Sequence, residues 1–391
     1  THEADGQIVE HHTGGQVVTH GSDNAIHAED GAEDTTACKP GDPVRIDIAD
    51  PHLWTPDEPY IYRIRITAGR DYVTSYFALR TVTIEKKGEN NRVCLNGNPI
   101  YLNGVLDQGY YSDGLYTPSS PEVYLDDIRK MKDMGFNLLR KHIKIEPEQF
   151  YYDCDRYGML VMQDMVNNGF YRPFHDTYSP NIWLFDQMRS SDRHGPSTET
   201  MKRIFREQME ETVDKLYNHP SIICYTIFNE GWGQFDADEM YEKMKELDAT
   251  RLADSTSGWF RQKESDFDSR HIYFRIDTSL KADKQPLLIS ECGGFACLYD
   301  DHVFSRYMNF GYGVVETKEK LFNEIDEMYS KMIIPAVSRG LCGSIYTQVS
   351  DVEDEINGLL TYDRRVTKGI PEKMRELRAK VDEEMRKSAG E

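Results

Sequence analysis

Long apolar runs and an excess of basic residues are both missing from this sequence of 391 residues. No run approaches the length of a transmembrane helix, and the chain starts without the apolar core of a signal peptide, so we expect no membrane segment. Lys and Arg together number 46 against 67 Asp and Glu, which gives a net charge of −21. This balance argues against nucleic acid or an anionic membrane surface as the main partner.

Patterns of cysteine and histidine that are typical of metal sites are missing too. The chain has no Cys-x-x-Cys pair and no histidine cluster at zinc-ligand spacing. We therefore expect no metal, no cofactor and no disulfide framework, and a cytoplasmic location is the simpler expectation. The seven cysteines are Cys38, Cys94, Cys154, Cys224, Cys292, Cys297 and Cys342.

Residues 1–90 carry the pattern of a β domain. Segments such as "DPVRIDIAD" and "EPYIYRIRITAG" alternate apolar and polar residues, and Gly, Asp and Pro separate them. The pattern predicts a small antiparallel sandwich that is short for a complete one. The polar turn "EKKGENNR" then indicates the border with a second domain, residues 91–391.

In the second domain, short buried strands alternate with amphipathic helices. Eight parallel strands with helices over about 290 residues favour an α/β fold, the (β/α)8 TIM barrel. The competing architecture is a doubly wound open sheet, but no Gly-rich phosphate loop follows the first strand. The strands are predicted at 100–106, 136–140, 159–163, 221–228, 252–257, 271–274, 286–290 and 341–347. The helices are predicted at 121–134, 147–157, 198–217, 236–247, 318–337 and 371–387; a helix between the sixth and seventh strands is unconvincing.

Two glutamates stand where a TIM barrel places its catalytic groups. The stretch "SIICYTIFNEGWGQ" ends the fourth strand at Asn229 and Glu230, and "PLLISECGG" ends the seventh at Glu291. In such barrels the active site lies at the C-terminal ends of the strands. Two carboxylates at one mouth suit glycoside hydrolysis, in which one protonates the leaving oxygen and the other attacks or stabilises the anomeric carbon.

A single glutamate that closes a strand has a simpler explanation. Such a carboxylate often lies solvated at the start of the next helix, where the helix dipole favours it. For either glutamate alone, this structural interpretation is the stronger one. Together, on strands four and seven, they favour a catalytic pair whose environments keep one carboxyl protonated and the other ionised.

The motifs around the pair resemble glycoside hydrolase family 2, the family of β-galactosidases, β-glucuronidases and β-mannosidases. "DPHLWTPDEPYIYRIRI" resembles the end of the family's immunoglobulin-like domain, and "MGFNLLRKHIKIEPEQFYYDCDRYGMLVMQDM" resembles its second and third barrel strands. "NHPSIICYTIFNEGWGQ" resembles the acid/base motif, "PLLISECGG" the nucleophile strand, and "YTQVSDVEDEINGLLTYDRR" the eighth strand with its loop. The resemblance covers essentially the whole chain.

The resemblance implies a retaining double displacement, with Glu230 as acid/base and Glu291 as nucleophile. It also implies that Asn229 donates to the sugar 2-hydroxyl, that Arg140 keeps the nucleophile ionised and that Tyr273 hydrogen-bonds it. Arg140 could instead be a structural salt-bridge partner, and Tyr273 a core aromatic with a satisfied hydroxyl.

Three further residues at strand ends are candidates for substrate binding. Trp259 follows the fifth strand and could form a stacking face for a sugar, although a packing role is equally well supported. His142 and Asp164 end the second and third strands and could hydrogen-bond sugar hydroxyls, or could be satisfied structural residues. The long segment 167–185 after the third strand is a candidate functional loop.

Two departures from the family pattern bear on function. The eighth strand reads "SIYTQVSD", so that Tyr346 or Gln348 stands where many members carry a tryptophan platform for the sugar. No segment resembles the family's N-terminal sugar-binding domain, and we expect the immunoglobulin-like domain to lack its first strands. We therefore expect exposed surface that a second copy of the chain, another partner or a covering N-terminal domain would bury.

These features lead us to expect a retaining exo-β-glycosidase with a carbohydrate substrate, a β-galactoside before others. The loop at residues 351–355 is acidic and lacks the lysine with which family glucuronidases bind the sugar carboxylate, so it disfavours glucuronides. Two alternatives stay open. One is a β-glucuronidase or β-mannosidase, and the other is a catalytically silent carbohydrate-binding remnant of such an enzyme.

Overall fold

The computed structural model describes residues 7–10, 16–19, 24–28, 36–38, 42–48, 50–68, 70–170, 192, 197–307 and 309–390. This part of the chain contains an N-terminal group of antiparallel strands and a larger parallel sheet whose strands alternate with helices. None of its helices is both long enough and apolar enough to cross a membrane.

The N-terminal strands form two antiparallel sheets. They are β1 (Gln7–Glu10), β2 (Gln16–Thr19), β3 (Asn24–Ala28), β4 (Thr36–Cys38), β5 (Asp42–Arg45), β6 (Tyr62–Ala68) and β7 (Asp71–Phe77). The sheet orders are β1-β2-β5 and β4-β3-β6-β7. Val44 and Ile46 from one side pack with Tyr62, Ile64 and Phe77 from the other in one buried core. Two sheets that share a core form the predicted β-sandwich.

A three-stranded antiparallel unit connects the sandwich to the barrel. It consists of β8 (Val82–Lys87), β9 (Asn90–Leu95) and β10 (Asn98–Pro99). Val93 and Leu95 of β9 are buried in one cluster with apolar side chains of the barrel strands. The predicted domain border after residue 90 falls at the start of β9, and the division into two domains stays a prediction.

Eight parallel strands form the large sheet of the second half of the chain, and all eight strand predictions are confirmed. They are β11 (Leu102–Asp107), β12 (Leu138–Lys141), β13 (Leu160–Asp164), β14 (Ile222–Asn229), β15 (Leu252–Ser257), β16 (Asp268–Ile272), β17 (Leu287–Gly293) and β20 (Leu341–Thr347). Their spatial order is β15-β14-β13-β12-β11-β20-β17-β16. The short strands β18 (Ala296–Cys297) and β19 (Val314–Val315) pair with each other outside this sheet. The sixth strand was predicted least well, because it begins at Asp268 rather than at residue 271.

The sheet closes on itself almost completely, which makes it the predicted TIM barrel. Backbone ladders join every pair of neighbours except β15 and β16. Across that seam the Asp266 amide donates to the Ala253 carbonyl at 3.0 Å, and the Ala253 amide donates to the Asp266 carboxylate at 2.7 Å. The Ser257 hydroxyl also lies 2.8 Å from Nε2 of His271.

Seven α-helices lie in the described part of the chain. They are α1 (Glu122–Asp133), α2 (Glu148–Tyr157), α3 (Glu199–Leu216), α4 (Ala237–Leu247), α5 (Lys318–Met328), α6 (Ile334–Val337) and α7 (Pro371–Ala389). Thr198 and Thr317 cap α3 and α5, since each hydroxyl accepts a hydrogen bond from a first-turn amide. Between β16 and β17 the chain, described throughout, forms no helix.

The helix predicted at residues 318–337 is wrong in one respect, because it is not continuous. A π-helical turn at Tyr329–Ile333 separates α5 from α6. Pro335 has no amide hydrogen, and its ring crowds the carbonyl four residues earlier, so a wider turn before it is the physical consequence. The turn brings the Tyr329 hydroxyl to within 2.9 Å of Asn103 Oδ1.

Candidate active site

Strand β14 delivers Asn229 and Glu230 to the mouth of the barrel. All eight residues of β14 are buried, as expected for a parallel strand covered on both faces. Glu230 follows the strand with a φ of 52°, in the left-handed region, and its side chain is 20% exposed. From β17, Glu291 reaches the same place with a side chain that is only 6% exposed.

The two glutamates meet around His271. Oε1 of Glu230 lies 2.8 Å from Nδ1 of His271, and Oε2 of Glu291 lies 3.4 Å from the same atom. Ligand atoms of the three residues all lie within 4.8 Å of one another. Such a group could hold a cation, but the hydrogen bond between Glu230 and His271 already accounts for the closeness.

Arg140 on β12 joins three side chains of the site. Nη1 donates to Glu291 Oε1 at 3.0 Å, and Nη2 donates to Asn229 Oδ1 at 2.7 Å. Nε and Nη2 form a bidentate pair with both oxygens of Asp164, at 3.0 and 2.9 Å. The guanidinium is fully buried, so both the fork geometry and its charge are fixed at the base of the site.

Tyr273, which follows β16, is the second donor to Glu291. Its hydroxyl lies 2.7 Å from Glu291 Oε2 and 2.7 Å from the Thr347 hydroxyl. The Tyr312 ring stacks on the Tyr273 ring at 3.6 Å between centroids. Arg140 and Tyr273 thus hold the two oxygens of Glu291 from opposite sides.

Burial raises the pKa of Glu230 to about 8, although the charge of Arg140 lowers the pKa and that of Glu355 raises it. Because the observed partner of the Glu230 carboxyl is an uncharged imidazole, little opposes the effect of burial. Burial lowers the pKa of His271 to about 4, so this ring is neutral near pH 7. Glu230 therefore holds a proton at neutral pH.

Glu291 experiences opposing influences. The net shift of its pKa is upward: burial and the charge of Glu230 raise the pKa, and His271, Arg140 and the Tyr273 hydroxyl lower it by less. Once Glu230 carries the proton its repulsion disappears, and the two donors stabilise the ionised Glu291. The charged donor on Glu291 and its absence on Glu230 favour a shared proton on Glu230.

Asn229 and His142 lie side by side at the mouth. Asn229 Nδ2 is 3.3 Å from His142 Nε2, and Asn229 Oδ1 is occupied by Arg140. Burial and the charge of Arg140 lower the pKa of His142 well below its ordinary value, so its ring is neutral. His142 Nε2 can then accept one amide hydrogen of Asn229, which leaves the second for a substrate hydroxyl.

Asp164 and Trp259 are almost completely buried, more than a side chain in direct contact with a sugar needs to be. Both oxygens of Asp164 accept from Arg140, and the residue is 1% exposed. Trp259 is 4% exposed, and its indole nitrogen donates to the Glu230 backbone oxygen at 3.1 Å. Their predicted contacts with substrate stay predictions, and the observed contacts favour support of Arg140 and of Glu230.

On the eighth strand, neither replacement for the family tryptophan forms an open platform. Tyr346 is buried, and its ring fills the space where Gly293 lacks a Cβ atom. Gln348 is buried too, and its amide donates to Glu355 Oε2 at 2.7 Å. Gln108 donates to the same oxygen at 2.9 Å.

The acidic loop after β20 carries less charge towards the site than its sequence implies. Asp351 is buried and pairs with Lys368, whose amine lies 2.7 Å from each carboxylate oxygen. Glu353 is exposed. Glu355 is the member of the loop whose charge reaches Glu230.

His271 is the site residue that reasoning from the sequence missed. The sequence pattern places it only at the start of the sixth strand, and the family resemblance points to Tyr273 instead. Residues two apart on a strand point to the same face, so the selection of Tyr273 could have identified His271. The candidate loop 167–185 lies mostly outside the described residues, which stop at 170 and resume at 192.

Comparison with known families decides the relationship. Residues 87–378 match the model of "Glycosyl hydrolases family 2, TIM barrel domain". The chain belongs to glycoside hydrolase family 2. The model "Glycosyl hydrolases family 2" matches residues 2–80 of this family 2 chain as well.

Relatives of the family 2 chain carry two kinds of name. A Formosa agariphila protein named "Putative beta-glucuronidase" is 29% identical over 222 residues, which cover 55% of this chain and 19% of that protein. The "Beta-galactosidase" of Lactococcus lactis subsp. lactis is 23% identical over 358 residues, 84% of this chain and 32% of that protein. The chain thus spans a fifth to a third of the length of these curated relatives.

The solved structure of the beta-D-glucuronidase of Dictyoglomus thermophilum resembles the family 2 chain in fold. The TM-score is 0.69 at 17% identity, over 96% of this chain and 68% of the other. Identity at this level supports the common fold and carries no conclusion about the substrate.

Proposed function

We propose that this chain is a retaining β-glycosidase in which Glu230 is the acid/base and Glu291 the nucleophile. One observation carries the proposal: one oxygen of each carboxyl group lies within 4.8 Å of an oxygen of the other at the mouth of the barrel, too close for the wider spacing of inverting enzymes. Retaining enzymes need a separation of about 5–5.5 Å, whereas inverting enzymes need about 6.5–9.5 Å to admit a water between the carboxyls.

The environments of the two groups support this division of roles. Arg140 and Tyr273 stabilise negative charge on Glu291, as a nucleophile requires. Burial raises the pKa of Glu230 to about 8, so it enters the reaction with a proton to donate. A general acid works best when its pKa lies near the operating pH.

The reaction that we propose has two displacements. In the first, Glu291 attacks the anomeric carbon, the glycosidic C–O bond breaks and Glu230 gives its proton to the leaving oxygen. In the second, Glu230 removes a proton from water, the water oxygen bonds to the anomeric carbon and the bond to Glu291 breaks. Asn229 is placed to donate to a hydroxyl beside the reacting carbon, a bond that strengthens in the transition state.

For the substrate we propose a neutral sugar, a β-galactoside before others. Both amides bound to Glu355 contact Oε2, which leaves Oε1 to accept from a sugar hydroxyl. Burial raises the pKa of Glu355, against the hydrogen bonds from Gln348 and Gln108, and a sugar carboxylate in the cavity would meet the negative charge of its ionised form. At an effective dielectric constant of about 20, two like charges about 8 Å apart repel by roughly 2 kcal/mol. Several relatives that match this chain are named beta-galactosidases, in agreement with this choice.

A β-glucuronide is the second candidate substrate. The Formosa agariphila relative and the Dictyoglomus thermophilum structure carry glucuronidase names, and this supports the alternative. A bound carboxylate would need a cation. Lys141 pairs with Asp107 and Glu146, and Lys368 with Asp351, so these two cations are already neutralised.

The stereochemistry of the first product tests the proposed mechanism. A nitrophenyl β-galactoside should release the β-anomer first, as proton NMR can record before mutarotation. Release of the α-anomer would show inversion and exclude the double displacement. A chain that binds galactosides without turnover would instead be the silent remnant.

A further inference from the structure

His271 occupies a position between the two catalytic carboxylates. Its side chain is fully buried, and Nδ1 lies 2.8 Å from Glu230 and 3.4 Å from Glu291. Gly258 permits this position, because a Cβ atom there would lie 2.9 Å from Nδ1 of the ring. The Trp259 ring packs edge-on against the imidazole ring, with 5.3 Å between ring centroids.

The neighbours of Nε2 determine which ring nitrogen carries the hydrogen. Nη1 of Arg140 lies 3.4 Å from Nε2. A guanidinium can only donate, so a hydrogen on Nε2 would oppose the hydrogens of Arg140. The Ser257 hydroxyl donates to the Ser290 hydroxyl at 3.0 Å and lies 2.8 Å from Nε2, so rotation of its one hydrogen from Ser290 to the ring lets it donate to Nε2 instead. In a neutral ring the hydrogen then resides on Nδ1 and points at Glu230.

We propose that His271 is a positioning residue that holds Oε1 of Glu230 through an Nδ1–H donor, so that Oε2 presents the catalytic proton to the leaving group. A carboxyl oxygen can accept this bond whether the group is protonated or ionised, so the contact persists through both displacements. Arg140 holds Glu291 directly and fixes the tautomer of His271, and one guanidinium therefore orients both glutamates. This inference rests on the proposed function of Glu230.

The test compares two variants with wild-type protein. His271→Asn keeps an N–H donor near the position of Nδ1, and His271→Leu removes it. We expect His271→Leu to lower kcat/KM on an alkyl β-galactoside about 100-fold, because a misplaced group costs about that factor. The loss on a dinitrophenyl β-galactoside should be much smaller, because that leaving group needs no proton, and His271→Asn should recover most of the difference.

The pH dependence of kcat/KM tests the proposal further, because the loss of a merely structural role of His271 would leave it unchanged. The Nδ1–H donor favours the ionised form of Glu230, so its removal should shift the alkaline limb of kcat/KM to higher pH. His219 provides the control, since it is buried and its Nδ1 lies 2.7 Å from Asp155, away from the mouth. His219→Asn should change neither the limb nor the dependence on leaving group. Equal losses on both substrates in His271→Leu, with an unmoved limb, would overturn the proposal.

A spectroscopic measurement distinguishes failure of the proposal for His271 from failure of the proposed function. In histidine-labelled protein, the nitrogen-15 resonances that disappear in His271→Leu should show a neutral ring with hydrogen on Nδ1 at neutral pH. An Nε2–H ring or an imidazolium there would overturn the proposal even in an active enzyme. An inactive chain with the expected resonances would refute the glycosidase function and leave the positioning of Glu230 intact.

Discussion

At the scale of single residues, one arginine gives two similar carboxyl groups different chemistry. Arg140 donates directly to Glu291, whereas Glu230 Oε1 lies 2.8 Å from Nδ1 of the neutral ring of His271. A cation favours ionisation and burial opposes it. The same side chain in two environments can therefore serve as the proposed acid and as the proposed nucleophile.

Replacing Glu230 by alanine should separate the two displacements. We expect kcat/KM on an alkyl β-galactoside to fall by about 10²–10⁴-fold, the range for loss of a general acid. A dinitrophenyl β-galactoside should still form the glycosyl-enzyme, and azide should then restore its turnover because azide needs no general base. The stable product to measure is a β-galactosyl azide. An equal loss on both substrates without azide rescue would contradict the assignment.

The pH profile should report the proton on Glu230. Its pKa is raised to about 8, so the active, protonated form persists below that pH and is lost as the pH rises through it. We expect kcat/KM to decline above about pH 8 and also at acid pH, where Glu291 becomes protonated. In Glu230→Ala, assayed on a dinitrophenyl glycoside, the alkaline decline should disappear. Its persistence would assign that limb to another group.

At the scale of elements, the ends of four barrel strands bring the site together. β12, β14, β16 and β17 carry Arg140, Asn229, His271 and Glu291, and parallel packing puts their C-terminal ends at one mouth. Continuous apolar runs made β14 and β17 easy to predict. The sixth strand was hard to predict because it buries a polar network instead: Ser269 donates to Ser290 at 2.7 Å.

Contacts between residues that lie far apart in the sequence could not be predicted at this scale. The strand-end rule found Glu291, because that side chain follows an apolar run, and the family resemblance pointed to Arg140. The rule could not show that Lys368 neutralises Asp351, since that pair forms only when two loop segments fold together. For the same reason the acidity of the loop was overestimated, and Glu355 alone now carries the argument about substrate charge.

Glu355→Gln should change the preference between sugars. Glutamine keeps the size of this side chain and one oxygen that can accept from Gln108 and Gln348, and it removes the charge. The ratio of kcat/KM on nitrophenyl β-glucuronide to that on β-galactoside should rise about tenfold or more, as expected when repulsion of roughly 2 kcal/mol is relieved. Glu353→Gln, in the same loop but exposed, is the matched control. An unchanged ratio, or a wild-type preference for the glucuronide, would contradict the argument.

At the scale of the whole molecule, buried anchors attach the N-terminal region to the barrel. Trp54 is fully buried, and its indole nitrogen donates to the Asp155 carbonyl at 2.7 Å. Arg80 donates to the carbonyls of Pro220 and Ile222, just before and at the start of β14. The sandwich therefore supports the strand that ends in Glu230. A covering domain, a second copy of the chain and a cytoplasmic location stay predictions.

Trp54→Ala should destabilise the molecule strongly. Removing a buried tryptophan costs about 3–5 kcal/mol, because transfer free energy is lost and a cavity remains. Urea unfolding followed by circular dichroism measures the loss. Leu53→Ala is the control, since Leu53 is the adjacent residue and its side chain is 46% exposed. If both variants unfold at nearly the same urea concentration, the anchor contributes little.

The most direct measurement of the central claim is to trap the covalent intermediate. A 2-deoxy-2-fluoro-β-galactosyl fluoride has a good leaving group and slows hydrolysis of the glycosyl-enzyme. We predict that the intact mass of the protein rises by one fluorogalactosyl unit and that peptide mapping locates this unit on Glu291. Glu291→Gln should gain no mass. An adduct on another residue, or turnover of galactosides without any adduct, would contradict the claim that Glu291 is the nucleophile of a retaining glycosidase.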